Sequence, residues 1–163
     1  MKPNPTPDQE PFGVILAQTY RRVVLLLTNR FRPYGITPEQ WSLLNQLCVK
    51  EGVPQKKLAE RTDRDQPTVT RILDVLERKG WTVRKPNSED RRSFLVYATE
   101  EGRKLAAELE PLERQTLQEL LECVQESQCE ALKQALKRIG ERAAALKETS
   151  EPTEAAYNNG SDQ

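Results

Sequence analysis

Gln66, Thr68, Thr70 and Arg71 fall in the opening turns of one short amphipathic segment. Their amide, hydroxyl and guanidinium groups suit base edges. Glutamine pairs bidentately with adenine, arginine with guanine, and a threonine methyl meets that of thymine. Gln66 and Thr68 equally suit the start of a helix, and Arg71 equally suits a solvated charge or a phosphate clamp. Lys56, Lys57 and Arg64 lie just before the segment and read as phosphate-positioning cations. After it, Lys85 leads into the polar run 86–92, where Asp90, Arg91 and Arg92 crowd together.

Other chemistries are excluded by what is missing. The 163 residues include no histidine. That removes imidazole bases, His-containing triads and histidine metal ligands. No glycine-rich phosphate loop and no nucleophile beside a base occur, and the carboxylates fall on solvated helix faces. The three cysteines are too few for a disulfide framework. Cys48 reads as a small core hydrophobe. Cys123 and Cys129 stand among Glu122, Glu126 and Glu130, which raise rather than lower a thiol pKa. We therefore expect no enzyme activity, no metal and no cofactor.

The net charge of zero conceals a gradient. Residues 1–54 carry 6 basic and 4 acidic residues, residues 55–104 carry 13 and 9, and residues 105–163 carry 6 and 12. The local balances of +2, +4 and −6 place the positive charge where the candidate contacts lie. The longest wholly apolar run, Val23 to Leu27, is far short of the ~20 residues a bilayer demands. No membrane association and a cytoplasmic location follow as expectations.

Hydrophobic spacing supplies the scaffold. Phe12 to Arg32 reads as a helix, with apolar residues from Phe12 to Phe31 at steps of three and four. Thr37, Pro38 and Gln40 form a capping-box opening, stapled by Ile36 and Trp41, for a helix to about Lys50. Pro54 to Arg61 reads as a short helix. Thr62 to Asp65 reads as a tight turn, with Asp65 capping a second helix whose Val69, Ile72, Leu73 and Leu76 point inward. Its other face carries Pro67, Thr70, Arg71, Asp74 and Arg78. Two short helices joined by such a turn form a helix-turn-helix pattern. Period-two alternation follows, with Trp81, Val83 and Lys85 on one side and Phe94, Val96 and Ala98 in the returning segment. This predicts a β-hairpin with a charged tip. Thr99 is expected to cap a helix running to about Gln125, with Pro111 within it, and Ser127 a last helix to Lys147. There Leu132, Leu136, Ile139, Ala143 and Leu146 form a heptad seam. The apolar first helix and this seam both call for a second copy of the chain.

The residues from Ile36 to Leu105 resemble the MarR-type (multiple antibiotic resistance regulator) winged helix-turn-helix family. Ile36–Trp41 looks like the family's second-helix opening. Leu58-Ala59-Glu60-Arg61, Gln66–Leu73 and Leu76–Trp81 look like its helix-turn-helix. Asp90-Arg91-Arg92-Ser93 and Thr99–Gly102 look like its wing and exit. Asp63 stands where such turns usually carry glycine, Thr62 where an apolar residue is usual, and Pro54 where a Ser or Thr cap is usual.

The resemblance implies a mainly α fold with a small β-hairpin wing. The winged helix-turn-helix domain is flanked by N- and C-terminal dimerisation helices. A disordered lead at 1–11 would precede a dimerisation helix at 12–35, a DNA-binding domain at 36–99, dimerisation helices at 100–148 and a disordered tail at 149–163. It further implies a homodimeric repressor that binds double-stranded DNA at a pseudo-palindromic operator. Arg92 would enter the minor groove, with Asp90 orienting it, and Arg91 and Lys85 would lie near phosphates. Such repressors are released by small aromatic ligands, for which Tyr20, Arg21, Phe31, Tyr34 and Trp41 are the candidate cleft residues. The rival reading is a winged helix that binds a protein rather than specific DNA.

Overall fold

In the computed structural model, residues 11–90 and 92–150 are described, the last four of them by backbone alone. The lead over 1–10, Arg91 and the tail over 151–163 lie outside the described residues. Contacts divide the chain into one unit ending at Thr116 and a second beginning at Leu117.

Local chemistry starts the elements where periodicity places them. Helix α1 spans Phe12–Phe31 and tightens into a 3-10 turn at Arg32–Tyr34. Gly35 ends that turn at φ 66°, a left-handed conformation that costs glycine little. Helix α2, Pro38–Val49, opens on the expected capping box. The Gln40 N–H donates to Thr37 Oγ1, and the Thr37 N–H donates to Gln40 Oε1, both at 3.3 Å. Helices α3 (Gln55–Arg61) and α4 (Gln66–Arg78) follow, then β2 (Thr82–Pro86), β3 (Phe94–Ala98) and α5 (Glu100–Leu121).

The core of the first unit is aliphatic. Leu43, Leu44, Leu47, Leu58, Val69, Leu73, Leu76 and Leu109 are fully buried, with Phe31 set edge-on to Trp41 at 6.3 Å between ring centroids. Each such residue is worth about 1.5–3 kcal/mol of burial. α4 is held by Val69, Leu73 and Leu76, which leaves its opposite side outward.

Several expectations are corrected. A third strand, β1 (Val53–Pro54), pairs antiparallel with β3, so the wing is a three-stranded sheet of order β1-β3-β2. Pro54 therefore precedes the short helix instead of starting it; its ψ of 140° is extended. In β2 the buried residue is Thr82, paired with Ala98, and Arg84 shares that inward face opposite Val96. Val83 is not the strand's core marker; ion pairs to Asp74 and Glu77 let an arginine take the inward position. α5 ends at Leu121 rather than near Gln125 and stays helical through Pro111. The last helix, α6 (Glu126–Ser150), begins one residue before Ser127, so Ser127 lies in its first turn rather than capping it.

The entry into α5 is tightly built. Thr99 Oγ1 donates to the Gly80 carbonyl at 2.6 Å and accepts the Gly102 N–H at 3.0 Å. A Cβ placed on Gly102 would lie 2.1 Å from the Trp81 carbonyl oxygen. Gly102→Ala is therefore expected to destabilise the fold by about 1–3 kcal/mol, because backbone must move. A thermal melt indistinguishable from wild type would show that this junction yields freely.

Candidate nucleic-acid interface

The turn between α3 and α4 is what aims the candidate contact residues. α3 ends with the Thr62 hydroxyl donating to the Leu58 carbonyl at 2.7 Å. Asp63 adopts φ 49°, its N–H reaches the Glu60 carbonyl at 3.4 Å, and the Arg64 N–H reaches that of Ala59 at 3.0 Å. This double closure is a Schellman arrangement, with aspartate in the left-handed position that glycine usually takes. Aspartate tolerates that conformation better than most residues. The unusual turn residue thus fits the geometry.

α4 then begins on Asp65. Its carboxylate accepts the Thr68 N–H and the Thr68 hydroxyl, each at 2.8 Å. Those bonds hold the Asp65 carboxyl below the usual carboxylate value, the backbone bond contributing most. Arg71 Nη2 donates to Thr68 Oγ1 at 3.3 Å, and Thr70 Oγ1 donates to the Gln66 carbonyl at 2.9 Å while accepting from Gln55 Nε2. The hydroxyls of Thr68 and Thr70 are thus engaged inside the protein, and Gln66 and Arg71 stand exposed at the helix start.

The flanking cations differ in setting. Lys56 and Lys57 are exposed on α3, and Lys57 pairs with Glu60 at 2.8 Å. Arg64 is half-buried, and its Nε has no hydrogen-bond partner. Lys85 is exposed and holds its ammonium 4.9 Å from the centre of the Tyr97 ring.

The wing tip is closed by polar side chains. The Arg92 N–H donates to Asp90 Oδ1 at 3.0 Å, so Asp90 holds this arginine by its backbone. Glu89 donates its N–H to Asn87 Oδ1 at 3.0 Å, and the Ser93 N–H reaches the Asp90 carbonyl at 3.0 Å. Arg92 is exposed; Arg91 lies outside the described residues.

Sequence reasoning missed Arg84. Its side chain joins β2 to α4 through Glu77 at 2.6 Å and Asp74 at 2.7 Å. Both carboxylates of the outward α4 face are thereby answered by one guanidinium, and that face is left with Gln66, Arg71 and Arg78. The available signal was the strand alternation itself, which puts Arg84 on the same side as Thr82.

The aromatic candidates separate. Tyr20 and Trp41 line a cavity of about 260 Å³ with Val24, Leu27, Arg64 and Glu113. Trp41 and Arg64 are among the residues lining this cavity, and Trp41 Nε1 and Arg64 Nε are buried without hydrogen-bond partners. Phe31 is sealed in the core, Tyr34 packs against it, and Arg21 is exposed away from the cavity lining. No cluster of metal-ligating side chains occurs among the described residues. Nor, among them, is any helix long and apolar enough to cross a membrane.

An acid-side stability effect follows from the Asp65 cap. The ionised form is favoured in the folded state. The cap therefore stabilises above the unfolded carboxyl's pKa of about 4, and its contribution is lost as pH falls through the lower folded value. Asparagine caps equally well without titrating. Asp65→Asn is expected to melt like wild type near neutral pH and to show a shallower loss of Tm below about pH 4. An unaltered acid limb would remove Asp65 from that dependence.

The MarR family model matches residues 36–94, from the α2 opening through the wing. The HTH-type transcriptional regulator MhqR of Bacillus subtilis (strain 168) is 25% identical over 127 residues, covering 78% of this chain and 88% of that protein. The transcriptional repressor CouR, solved bound to a 23-mer DNA duplex, is 27% identical with a TM-score of 0.78, covering 86% of this chain and 99% of that one. A mutant MarR from E. coli, solved with operator DNA, is 27% identical with a TM-score of 0.76, covering 79% of this chain and 93% of that one.

Proposed function

We propose that the chain, whose residues 36–94 match the MarR family model, is a winged helix-turn-helix transcriptional repressor that grips a pseudo-palindromic operator as a homodimer. The observation that carries the reading is the outward side of α4. Gln66 and Arg71 stand exposed at its start, while its two carboxylates are drawn back onto Arg84. A helix with that face suits a major groove: Gln66 and Arg71 read base edges, and Thr68 and Thr70 offer methyls to thymine. Lys56, Lys57, Arg64 and Lys85 take phosphates, and Arg92, with Arg91 beside it, takes the flanking minor groove. Residues 36–99 form this DNA-binding domain. CouR and the E. coli MarR mutant, both solved with DNA, support DNA binding by a chain of this fold.

The flanking helices, 12–35 and 100–148, supply the dimer. Phe12, Ile15, Leu16 and Tyr20 of α1 are exposed, as are Leu132, Leu136, Ile139 and Leu146 of α6. Apolar stripes of this kind are covered by a second copy. A two-fold dimer presents two copies of α4 to successive grooves, ~34–36 Å apart. A regulator of this type works in the cytoplasm, where its DNA lies, and without enzymatic activity.

The effector reading rests on the cavity beside Tyr20 and Trp41. Trp41 and Arg64 of its lining each hold a buried donor without a partner, Glu39 and Glu113 add carboxylates, and its aromatic wall suits a ring. A small aromatic molecule with a hydrogen-bond acceptor fits this description.

Operator binding tests the first reading. Fluorescence anisotropy should show preference for the palindromic duplex upstream of the chain's own gene over a scrambled duplex, falling steeply with salt as counterions are released. Arg92→Ala should weaken operator binding by about 1–3 kcal/mol. Equal affinity for both duplexes, or none at low salt, would give way to a winged helix that binds protein.

The effector reading has its own test. Benzoate should lower operator affinity in wild type. Trp41→Phe keeps the ring but loses the N–H, and should raise the benzoate concentration for half release about tenfold. Release at the same concentration in both proteins would exclude Trp41 Nε1 from the site.

A further inference from the structure

We propose that Arg84 is a specificity-determining positioning residue, which sets the wing against α4 and thereby fixes the flanking base pairs the chain accepts. The inference rests on the DNA-binding reading above. Arg84 sits on β2 opposite Val96, with its side chain only 20% exposed. Its Nη1 donates to Glu77 Oε2 at 2.6 Å, and its own backbone N–H donates to Glu77 Oε1 at 3.0 Å. One carboxylate of α4 therefore grips both the main chain and the side chain of the same wing residue. Nη2 donates to Asp74 Oδ1 at 2.7 Å and to the Thr70 carbonyl at 3.5 Å.

The acceptors at 70, 74 and 77 share one face of α4, spaced by four and three residues. Thr70 in turn accepts from Gln55 of α3. A single guanidinium thus ties the strand that leads to the wing tip to the helix that faces the major groove, and α3 joins the same network.

Such bonding fixes an angle as well as a distance. The planar guanidinium presents its donors in a rigid fork, and here they run to three residues in different directions. A lysine carries the same charge without the fork. A salt link alone would be satisfied by either residue, but a fixed orientation needs arginine. The wing tip carries Arg92 at the far end of the hairpin, so a tilt at Arg84 displaces that side chain along the DNA. The minor groove distinguishes mainly A·T from G·C, through its width and the guanine amino group. Flank discrimination is therefore the property this clamp controls.

The experiment uses the full chain. Wild type selects duplexes from a randomised pool, and the selected duplex is then varied only outside the half-sites, A·T against G·C. Anisotropy gives the affinity ratio of the two flanks for wild type, Arg84→Lys and Arg92→Ala. Wild type is expected to discriminate by roughly tenfold or more, the size of one mismatched pair. Arg84→Lys is expected to bring the ratio to within about twofold of unity, matching Arg92→Ala, while affinity for the poorer flank moves less than about threefold. A wild-type ratio near unity, or a ratio that survives Arg84→Lys, overturns the inference. If Arg84→Lys does not fold, Glu77→Gln removes the charged anchor and is read by the same two outcomes. A wild type that enriches no sequence overturns the DNA-binding reading itself, whereas enrichment with an unmoved flank ratio overturns only the role of Arg84.

Discussion

The recognition surface depends on four residues, Thr62 to Asp65, in which one helix ends and the next begins. A helix end leaves several carbonyls and N–H groups without partners, and leaving them buried costs free energy. Here the two sets are satisfied locally. Arg64 and Asp63 close the end of α3 through the Ala59 and Glu60 carbonyls, and Asp65 closes the start of α4 through Thr68. The turn can therefore be short, and a short turn allows Leu58 and Ala59 of α3 to share a core with Val69 and Leu73 of α4. Once α4 is held by that buried side, the direction of Gln66 and Arg71 is decided by helical geometry alone. A longer connection would leave the same side chains on the helix without fixing where they point.

The second constraint is electrostatic. On the proposed reading Asp74 and Glu77 lie on the helix that approaches DNA, and two unanswered carboxylates would repel it. Arg84 pairs with both from the neighbouring strand and offsets one of the two negative charges. The positive balance of the middle third is modest, and four of its acids are held by local partners: Glu60 by Lys57, Asp65 by the first turn of its own helix, and Asp74 and Glu77 by Arg84. Gln66, Arg71 and Arg78 are left to present the outward face of α4.

These two constraints differ in how far they are legible in sequence. Short-range chemistry reads well. The Thr37–Gln40 box, the Asp65 cap and the Thr99 cap each act within three residues, so residue type and spacing nearly determine them. Asp63 reads as an anomaly until the left-handed turn is seen to need only a residue that tolerates positive φ. Features made by packing read poorly. β1 is two residues long, too brief for any period, and exists because β3 offers an edge to Val53 and Pro54. Arg84 looks like a surface residue in an alternating strand, because its partners are brought to it by the path of the chain between α4 and β2. Arg64 reads as a surface cation in a polar turn, and its buried Nε comes from the α1 and α2 residues that line the same cavity.

Arg64 stands at both the turn and the cavity. It belongs to the turn that aims α4, and its neighbour Asp65 caps that helix. It also lines the cavity bounded by Tyr20 and Trp41, and a second, more open groove shared with Thr68 and Arg71. A guanidinium with an unsatisfied Nε in such a position gains most from any anion that reaches it, because a buried unpaired donor is costly and a charged partner is the strongest remedy. An anion on the cavity side would draw Arg64 toward Tyr20 and Trp41, whereas a phosphate would draw it toward the recognition helix. One side chain cannot satisfy both with full geometry. On the proposed reading, effector and operator would compete for the orientation of a residue that lies in the turn itself, and the coupling between them would need no long path through the protein.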